Sequence, residues 1–172
     1  MILAVLSREI PAKMKHLEPA SWQDDVLPCW RRNANNAPRP NSDIWRPLPD
    51  GIIWGKAQIE ADDIERLFLL GSSDFKDTFG TYRLSEIQLP FPTGTDDRHY
   101  NLPLSMQQSL LQGRHLDMPI CVSDSHDGNV IIIDGCHRCL AHLLNESLVG
   151  VELFLGLKDG LHYAFSWSHP AR

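Results

Sequence analysis

The fold is decided by residues 130–144, which read Val-Ile-Ile-Ile-Asp-Gly-Cys-His-Arg-Cys-Leu-Ala-His-Leu-Leu. Four consecutive β-branched apolar residues predict a strand buried on both faces, because the run is too short for a buried helix. Asp134 and Gly135 end that run. Apolar side chains return at positions 136, 140, 143 and 144, which is the spacing of one helix face. The stretch therefore predicts a strand, a sharp turn and a helix whose first turn holds His137 and Arg138.

A helix that begins in this way offers a seat for a phosphate group. Its first backbone N–H groups have no partner inside the helix, and the helix dipole adds positive potential there. Arg138 can supply a guanidinium fork, with His137 beside it. Gly135 lets the backbone turn and lets an anion approach closely. Asp134 either caps the helix or holds a Mg²⁺ ion that accompanies a nucleotide, and the two roles are compatible.

Residues 134–138 also resemble a known signature. Their order, Asp-Gly-Cys-His-Arg between a strand and a helix, is similar to the Asp-Gly-x-His-Arg box of the ParB/sulfiredoxin superfamily. The resemblance extends over about residues 81–157 and implies an α/β, ParB/sulfiredoxin-like fold with a mixed sheet. It divides the chain into an N-terminal extension, 1–80, which packs on a core formed by 81–172, as one compact unit.

The resemblance implies an enzyme that binds ATP and Mg²⁺ and cleaves phosphate esters. Plasmid fertility-inhibition proteins of this superfamily, the Osa type, combine ATPase and DNase activity and block transfer of T-DNA. Nucleotide, DNA and a coupling component of the type IV secretion machinery are therefore the expected partners. The implied residues are Arg138, Glu86, Asp134 and His137 in catalysis, Gly135, Cys136, His137 and Arg138 in nucleotide binding, and Glu86 and Asp134 in metal binding.

Two alternatives use the same box. A sulfiredoxin-like, ATP-dependent reductase would use Cys136, which occupies the position of the reactive cysteine of sulfiredoxins, where a helix start and two basic neighbours favour a thiolate. Against this, position 136 lies on the apolar helix face, where cysteine serves as a small hydrophobe. A small-molecule kinase would instead transfer phosphate to an acceptor, with an acidic residue such as Glu86 as the base.

Composition narrows the class of protein. The 172 residues, 42% of them hydrophobic, suffice for one domain with a core. A net charge of −6 without a basic stripe argues against a protein that coats DNA. Four scattered cysteines predict free thiols in a reducing cytoplasm. No apolar run reaches the roughly 18 residues of a membrane span, so we expect a cytoplasmic bacterial protein, in keeping with the plasmid-linked resemblance.

The remaining elements are predicted from periodicity and turn residues. The Trp- and Pro-rich residues 1–56 should wrap the core, and Asp127-Gly128 should form a hairpin turn. Asp96, Asp97, Arg98 and His99 form a polar group that either covers the nucleotide or is a solvated turn. Further predictions are strands at 1–6, 52–54, 82–90 (with Glu86), 119–122, 150–155 and 161–167, helices at 57–70 and 104–112, and loops at 72–80 and 91–101.

Overall fold

The computed structural model describes residues 14–36 and 50–161. The described elements are six strands, four α-helices, two 3₁₀ segments and one π-helical turn. In chain order they are β1 (Lys15–Pro19), a π-helical turn (Trp22–Val26), α1 (Leu27–Asn36), β2 (Ile53–Gln58), a 3₁₀ helix (Ala61–Arg66), β3 (Leu67–Phe68), α2 (Ser73–Phe79), a 3₁₀ turn (Leu84–Glu86), α3 (Arg98–Leu111), β4 (Ile120–Ser123), β5 (Val130–Asp134), α4 (Cys136–Leu144) and β6 (Glu152–Leu157).

One six-stranded mixed sheet organises the described residues, with the strand order β1-β2-β6-β4-β5-β3. The pairs β1/β2, β2/β6 and β4/β5 are antiparallel, while β4/β6 and β3/β5 are parallel. The predicted α/β class with a mixed sheet is therefore confirmed. All five residues of β5 are buried, as the apolar run predicted.

Trp22, Trp30 and Trp54 pack on the core around this sheet, as the composition of this segment suggested, whereas Trp45 lies outside the described residues. Gly156 of β6 lies opposite Trp54 of β2, and a Cβ at position 156 would stand 2.9 Å from the indole ring. Trp22 stacks on Trp54 with ring centroids 5.3 Å apart, and Trp30 meets Trp22 edge-on. Strands β1, β2 and β3 belong to the same sheet as the later strands, while the division at residue 80 stays a prediction.

The helix predicted at 57–70 is wrong. Residues 53–58 form β2, a 3₁₀ helix follows, and Leu67 and Phe68 form β3 beside Val130 and Ile131 of β5. A two-residue strand has no periodicity of its own. Its apolar residues fit the stripe of a helix face, but the consecutive residues 67–70 are all buried, which is not the pattern of one helix face.

Two further predictions between residues 72 and 90 are wrong. The predicted loop at 72–80 contains α2, which Gly80 ends in the left-handed conformation at φ +72°. The predicted strand at 82–90 reduces to a single bridge between Arg83 and Phe68, followed by a 3₁₀ turn. Pairing with β3 ends there because β3 is only two residues long.

The second half of the chain follows the predictions closely. Strands β4, β5 and β6 and helix α4 are confirmed within a few residues. Helix α3 begins at Arg98, six residues earlier than predicted, because the Asp97 side chain caps it by accepting the N–H of His99. The strand predicted at 1–6 and nearly all of the one at 161–167 lie outside the described residues. Among the described helices, none is long and apolar enough to cross a membrane.

Candidate functional site

The turn between β5 and α4 is fixed by a buried ion pair. Gly135 is the N-cap of α4 at φ +93°, a conformation that favours glycine. The Arg138 guanidinium folds back over this glycine and its Nη2 donates to Asp134 Oδ2 at 2.7 Å. The two side chains are only 9% and 2% exposed. The structure thus brings Asp134, Gly135 and Arg138 together and joins the two charged groups directly.

His137 ends a chain of three polar side chains that begins on α2. Asp74 Oδ2 lies 3.1 Å from Nε2 of His99, and Nδ1 of His99 lies 2.9 Å from Nε2 of His137. The two imidazole rings stack nearly in parallel, with centroids 5.1 Å apart. Side chains from α2 and α3 therefore meet a side chain in the first turn of α4.

The hydrogen-bond partners decide which ring nitrogens of His99 and His137 carry the protons. An ionised Asp74 can only accept, so Nε2 of His99 donates to it. In a neutral His99 the Nδ1 atom then carries the lone pair and accepts from Nε2–H of His137. A neutral His137 is left with its lone pair on Nδ1. With this assignment, Nδ1 is the acceptor nitrogen of the neutral His137 ring.

Asp74 is held in its charged form. Although burial acts to raise its pKa, hydrogen bonds from Ser72 and Arg98 and the interaction with His99 lower the pKa of Asp74 to about 2. The Arg98 guanidinium donates to Asp74 Oδ2 at 2.9 Å while remaining largely exposed. Asp74 thus has an anionic carboxylate at neutral pH, and this carboxylate lies against Nε2 of His99.

The Phe75 ring packs against both histidines. The Phe75 ring lies 4.5 Å from the His99 ring and 5.5 Å from the His137 ring, measured between centroids. His99 is buried, and His137 is partly exposed. Both ends of this series reach solvent, the partly exposed His137 and the 40% accessible side chain of Asp74, while the low-dielectric surroundings of the buried His99 between them strengthen its hydrogen bonds.

Cys136 points into the core. Its Sγ lies 3.3 Å from the Ile132 carbonyl oxygen and 3.5 Å from the Leu70 backbone nitrogen, and its side chain is buried. Burial also raises the pKa of the neighbouring thiols Cys121 and Cys139. These contacts agree with the reading of position 136 as a small hydrophobe on the apolar face of α4.

Glu86 stands apart from the other predicted residues. It lies on an exposed 3₁₀ turn, where its carboxylate accepts from Thr81 Oγ1 at 2.6 Å and lies 3.6 Å from Nε of Arg83. None of these contacts reaches Asp134 or Arg138. Within residues 14–36 and 50–161, no group of three or more His, Cys, Asp and Glu side chains is arranged to hold a metal ion.

Sequence reasoning missed Asp74 entirely and left His99 uncommitted in the polar group 96–99. The contacts that join them to each other and to His137 span 25 and 38 residues along the chain. A local signal existed only for α2, where Phe75 and Phe79 stand four residues apart ahead of Gly80. That signal predicts a short helix but not what it touches.

Comparison of the chain with protein-family models, with curated proteins and with solved structures finds no match. The resemblance to the ParB/sulfiredoxin superfamily therefore depends on residues 134–138 and their setting between β5 and α4.

Proposed function

We propose that the chain seats a nucleotide phosphate at the start of α4 and hydrolyses phosphate esters there, with ATP and DNA as its substrates. One observation carries the proposal: the hydrogen-bonded chain Asp74–His99–His137 ends in the first turn of α4. A helix start attracts an anion, and a histidine backed by a carboxylate transfers protons at neutral pH. The ParB/sulfiredoxin resemblance adds the expectation of ATP.

In the proposed reaction, backbone N–H groups of the first turn of α4 bind phosphate oxygens. Nδ1 of His137 takes a proton from the water that attacks phosphorus, and the imidazolium then returns a proton to the departing oxygen. Nε2–H of His137 stays directed at His99, whose other nitrogen donates to the Asp74 carboxylate. General acid–base assistance of this kind contributes about 10²- to 10⁴-fold to a rate.

Two arginines have different tasks in this proposal. Separating the buried Arg138 from Asp134 would cost about 3–5 kcal/mol, so Arg138 serves to fix the turn. The pair of Arg98 with Asp74 is exposed, with side chains 69% and 40% accessible, and such pairs contribute only about 0–1 kcal/mol. Arg98 can therefore turn to a phosphate at little cost and offset the charge that develops there.

Mg²⁺ would enter with the nucleotide. This ion commonly keeps several waters and takes one or two carboxylates together with substrate phosphates. The absence of a three-ligand group among the described residues fits such a substrate-borne ion better than a protein-only site. Glu86, on its separate turn, and Asp134, already joined to Arg138, stay the predicted carboxylates.

The two alternatives differ in what they require of this site. A reductase of the sulfiredoxin kind needs an accessible thiolate at Cys136, and the burial of that side chain disfavours it. A small-molecule kinase needs the same phosphate seat and histidine chain but an acceptor other than water. Hydrolysis releases inorganic phosphate, whereas the kinase reaction leaves the phosphate on the acceptor, so the product distinguishes the two.

The test uses the purified full chain with Mg²⁺, ATP and supercoiled plasmid, and it measures phosphate release and plasmid nicking. We expect H137Q to lower both rates about 100-fold or more, and D74N to lower them less. H115Q, at an exposed histidine outside the chain of three, and C136S should retain activity. Circular dichroism spectra of each variant serve as the control for folding.

Hydrolysis that persists in folded H137Q would contradict the proposal, as would a wild-type protein that acts on neither substrate. Phosphate that appears on an added amino acid, with none released, would identify the kinase alternative. Nicking of plasmid would extend the proposal to inhibition of plasmid or T-DNA transfer, which a conjugation assay then measures directly.

A further inference from the structure

Helices α2 and α3, which are joined by the contact of Asp74 with His99, are also bonded to each other at a second place. Thr78 lies four residues after Asp74 in α2, so both side chains stand on the same face of that helix. Asp97 is the N-cap of α3 and lies two residues before His99. Thr78 Oγ1 donates to Asp97 Oδ2 at 2.8 Å. We call this bond the α2–α3 link.

The link completes polar groups that the two helices leave unpaired at their ends. The first N–H groups and the last carbonyl groups of a helix have no partner inside it. Asp97 Oδ1 accepts the N–H of His99 at 2.8 Å in the first turn of α3. At the end of α2, the Thr78 carbonyl oxygen accepts from the Tyr100 hydroxyl at 2.8 Å. Side chains from both helices therefore bond the end of α2 to the start of α3.

The carboxylate of Asp97 accepts both of its bonds in the charged form. Although burial acts to raise it, the hydrogen bonds from the His99 N–H and the Thr78 hydroxyl, together with the charges of His99 and Arg98, lower the pKa of Asp97. An ionised carboxylate only accepts hydrogen bonds, and one of its oxygens serves each helix. Bonds to a charged group are roughly twice as strong as bonds between neutral groups. The link is therefore stronger than a bond between two neutral side chains.

Helix α2 depends on such contacts for its position. It has only seven residues, and isolated helices shorter than about 12 residues are marginal in water. The pair of Asp74 with Arg98 is exposed and contributes little. The Phe79 ring meets the Tyr100 ring edge-on, with centroids 5.4 Å apart, but an aromatic contact alone permits sliding. The link therefore sets where α2, and with it Asp74, lies along α3.

The position of Asp74 decides where His99 carries its proton. With the carboxylate against Nε2, that nitrogen keeps the proton and Nδ1 is the acceptor for His137. Once α2 shifts, the carboxylate no longer selects between the two neutral forms of His99. In the form with the proton on Nδ1, the bond between the two rings breaks or reverses. Reversal moves the proton of His137 to its Nδ1, which then no longer accepts.

We propose that Thr78 and Asp97 are positioning residues, whose link holds Asp74 against His99 and so fixes which nitrogen of His137 accepts a proton. The consequence for catalysis rests on the proposed function, because hydrolysis uses Nδ1 of His137 as the base. The consequence for the rings is a property of the fold and does not need a substrate. The two consequences are measured separately.

Four variants test the link. T78V removes the hydroxyl and keeps the shape of the side chain. D97S keeps an N-cap for α3 but has no second oxygen for Thr78. T78S retains the hydroxyl and is the conservative rescue. S109A is the matched control, because it removes a hydroxyl whose bond stays within α3. Amide NMR spectra of each variant serve as the control for folding.

The first readout is the ¹⁵N NMR spectrum of the imidazole rings at pH 8, without nucleotide. In the wild type, T78S and S109A, we expect the proton of His99 on Nε2 and a scalar coupling across the bond from His137 Nε2 to His99 Nδ1. T78V and D97S should lose this coupling and show His99 as a mixture of its two neutral forms. Unchanged ring signals in either variant would overturn the proposal, as would altered signals in T78S.

The second readout is phosphate release from ATP with Mg²⁺. We expect T78V and D97S to lower kcat about tenfold with KM unchanged, since a misplaced proton acceptor slows the reaction but leaves the phosphate contacts in place. T78V/D97S should match either single variant, because both remove the same bond. A wild-type kcat in T78V despite altered ring signals would overturn the positioning role. A wild-type protein that releases no phosphate would refute the proposed hydrolysis instead, and the ring signals alone would then decide the inference.

Discussion

Replacing Arg138 with methionine should destabilise the protein strongly, because it leaves the Asp134 carboxylate without the guanidinium at 2.7 Å. Both side chains of this pair are almost completely buried. Removing one partner of a buried pair costs about 3–5 kcal/mol, since the remaining charge loses its counter-charge in a low dielectric. For a chain of this size that corresponds to a fall in Tm of about 10 °C.

The double variant D134L/R138M should behave differently. It removes both charges and fills the space with apolar atoms, and such replacements are often neutral or stabilising. We therefore expect the double variant to unfold within about 1 kcal/mol of the wild type, and to be more stable than either single variant. R83M is the matched control, because Arg83 and Glu86 form an exposed pair worth about 0–1 kcal/mol.

Urea unfolding followed by circular dichroism gives the free energy of unfolding of all five proteins. The reasoning is refuted if R138M costs no more than R83M. It is also refuted if the costs of R138M and D134L simply add in the double variant, because independent additivity would mean that the two groups do not interact.

Three other changes have defined outcomes. G135A should lower the free energy of unfolding by more than G94A does. Both glycines have positive φ, but only at position 135 would the new Cβ stand 2.7 Å from Arg138 Nη2. Equal losses of stability in urea unfolding would show that the guanidinium moves aside freely. The pKa of Asp74 is lowered to about 2, so its charged form stabilises the fold at pH values above the usual aspartate pKa, and this contribution is lost as the pH falls towards 2. D74N should therefore be less stable than the wild type at pH 7 and equally stable near pH 2. A difference in the free energy of unfolding that stays constant as the pH is lowered would contradict this. All four cysteines are buried, so iodoacetamide at pH 8 should alkylate none of them in the folded protein and all of them in urea, and rapid modification of the native chain, read by mass spectrometry, would contradict the described packing.

The elements that sequence predicted best carry their information locally. The run at 130–133 and the apolar spacing at 136, 140, 143 and 144 specify β5 and α4 without reference to the rest of the chain. The strand β3 could not be found in this way. Leu67 and Phe68 are a strand only because β5 lies beside them, and tertiary pairing of this kind overrides local periodicity.

The candidate site likewise has one part that the local sequence predicts and another part that depends on tertiary packing. Residues 134–138 were predicted together because they are contiguous, and the structure keeps Asp134, Gly135 and Arg138 in mutual contact. Asp74 and His99 could not be predicted, since the contact between them depends on how α2 packs against α3. Glu86 was predicted from an expected strand, and the contacts that the structure gives to it, with Thr81 and Arg83, stay within residues 81–86.

The most direct test of the phosphate seat is a titration of ¹⁵N-labelled protein with ATP, followed by backbone amide and imidazole signals in NMR spectra. The account predicts that the largest changes occur at the amides of Cys136, His137 and Arg138 and at the ring nitrogens of His137. It also predicts that inorganic phosphate at higher concentration moves the same signals. Changes centred on another part of the chain, or none at saturating ATP, would contradict it.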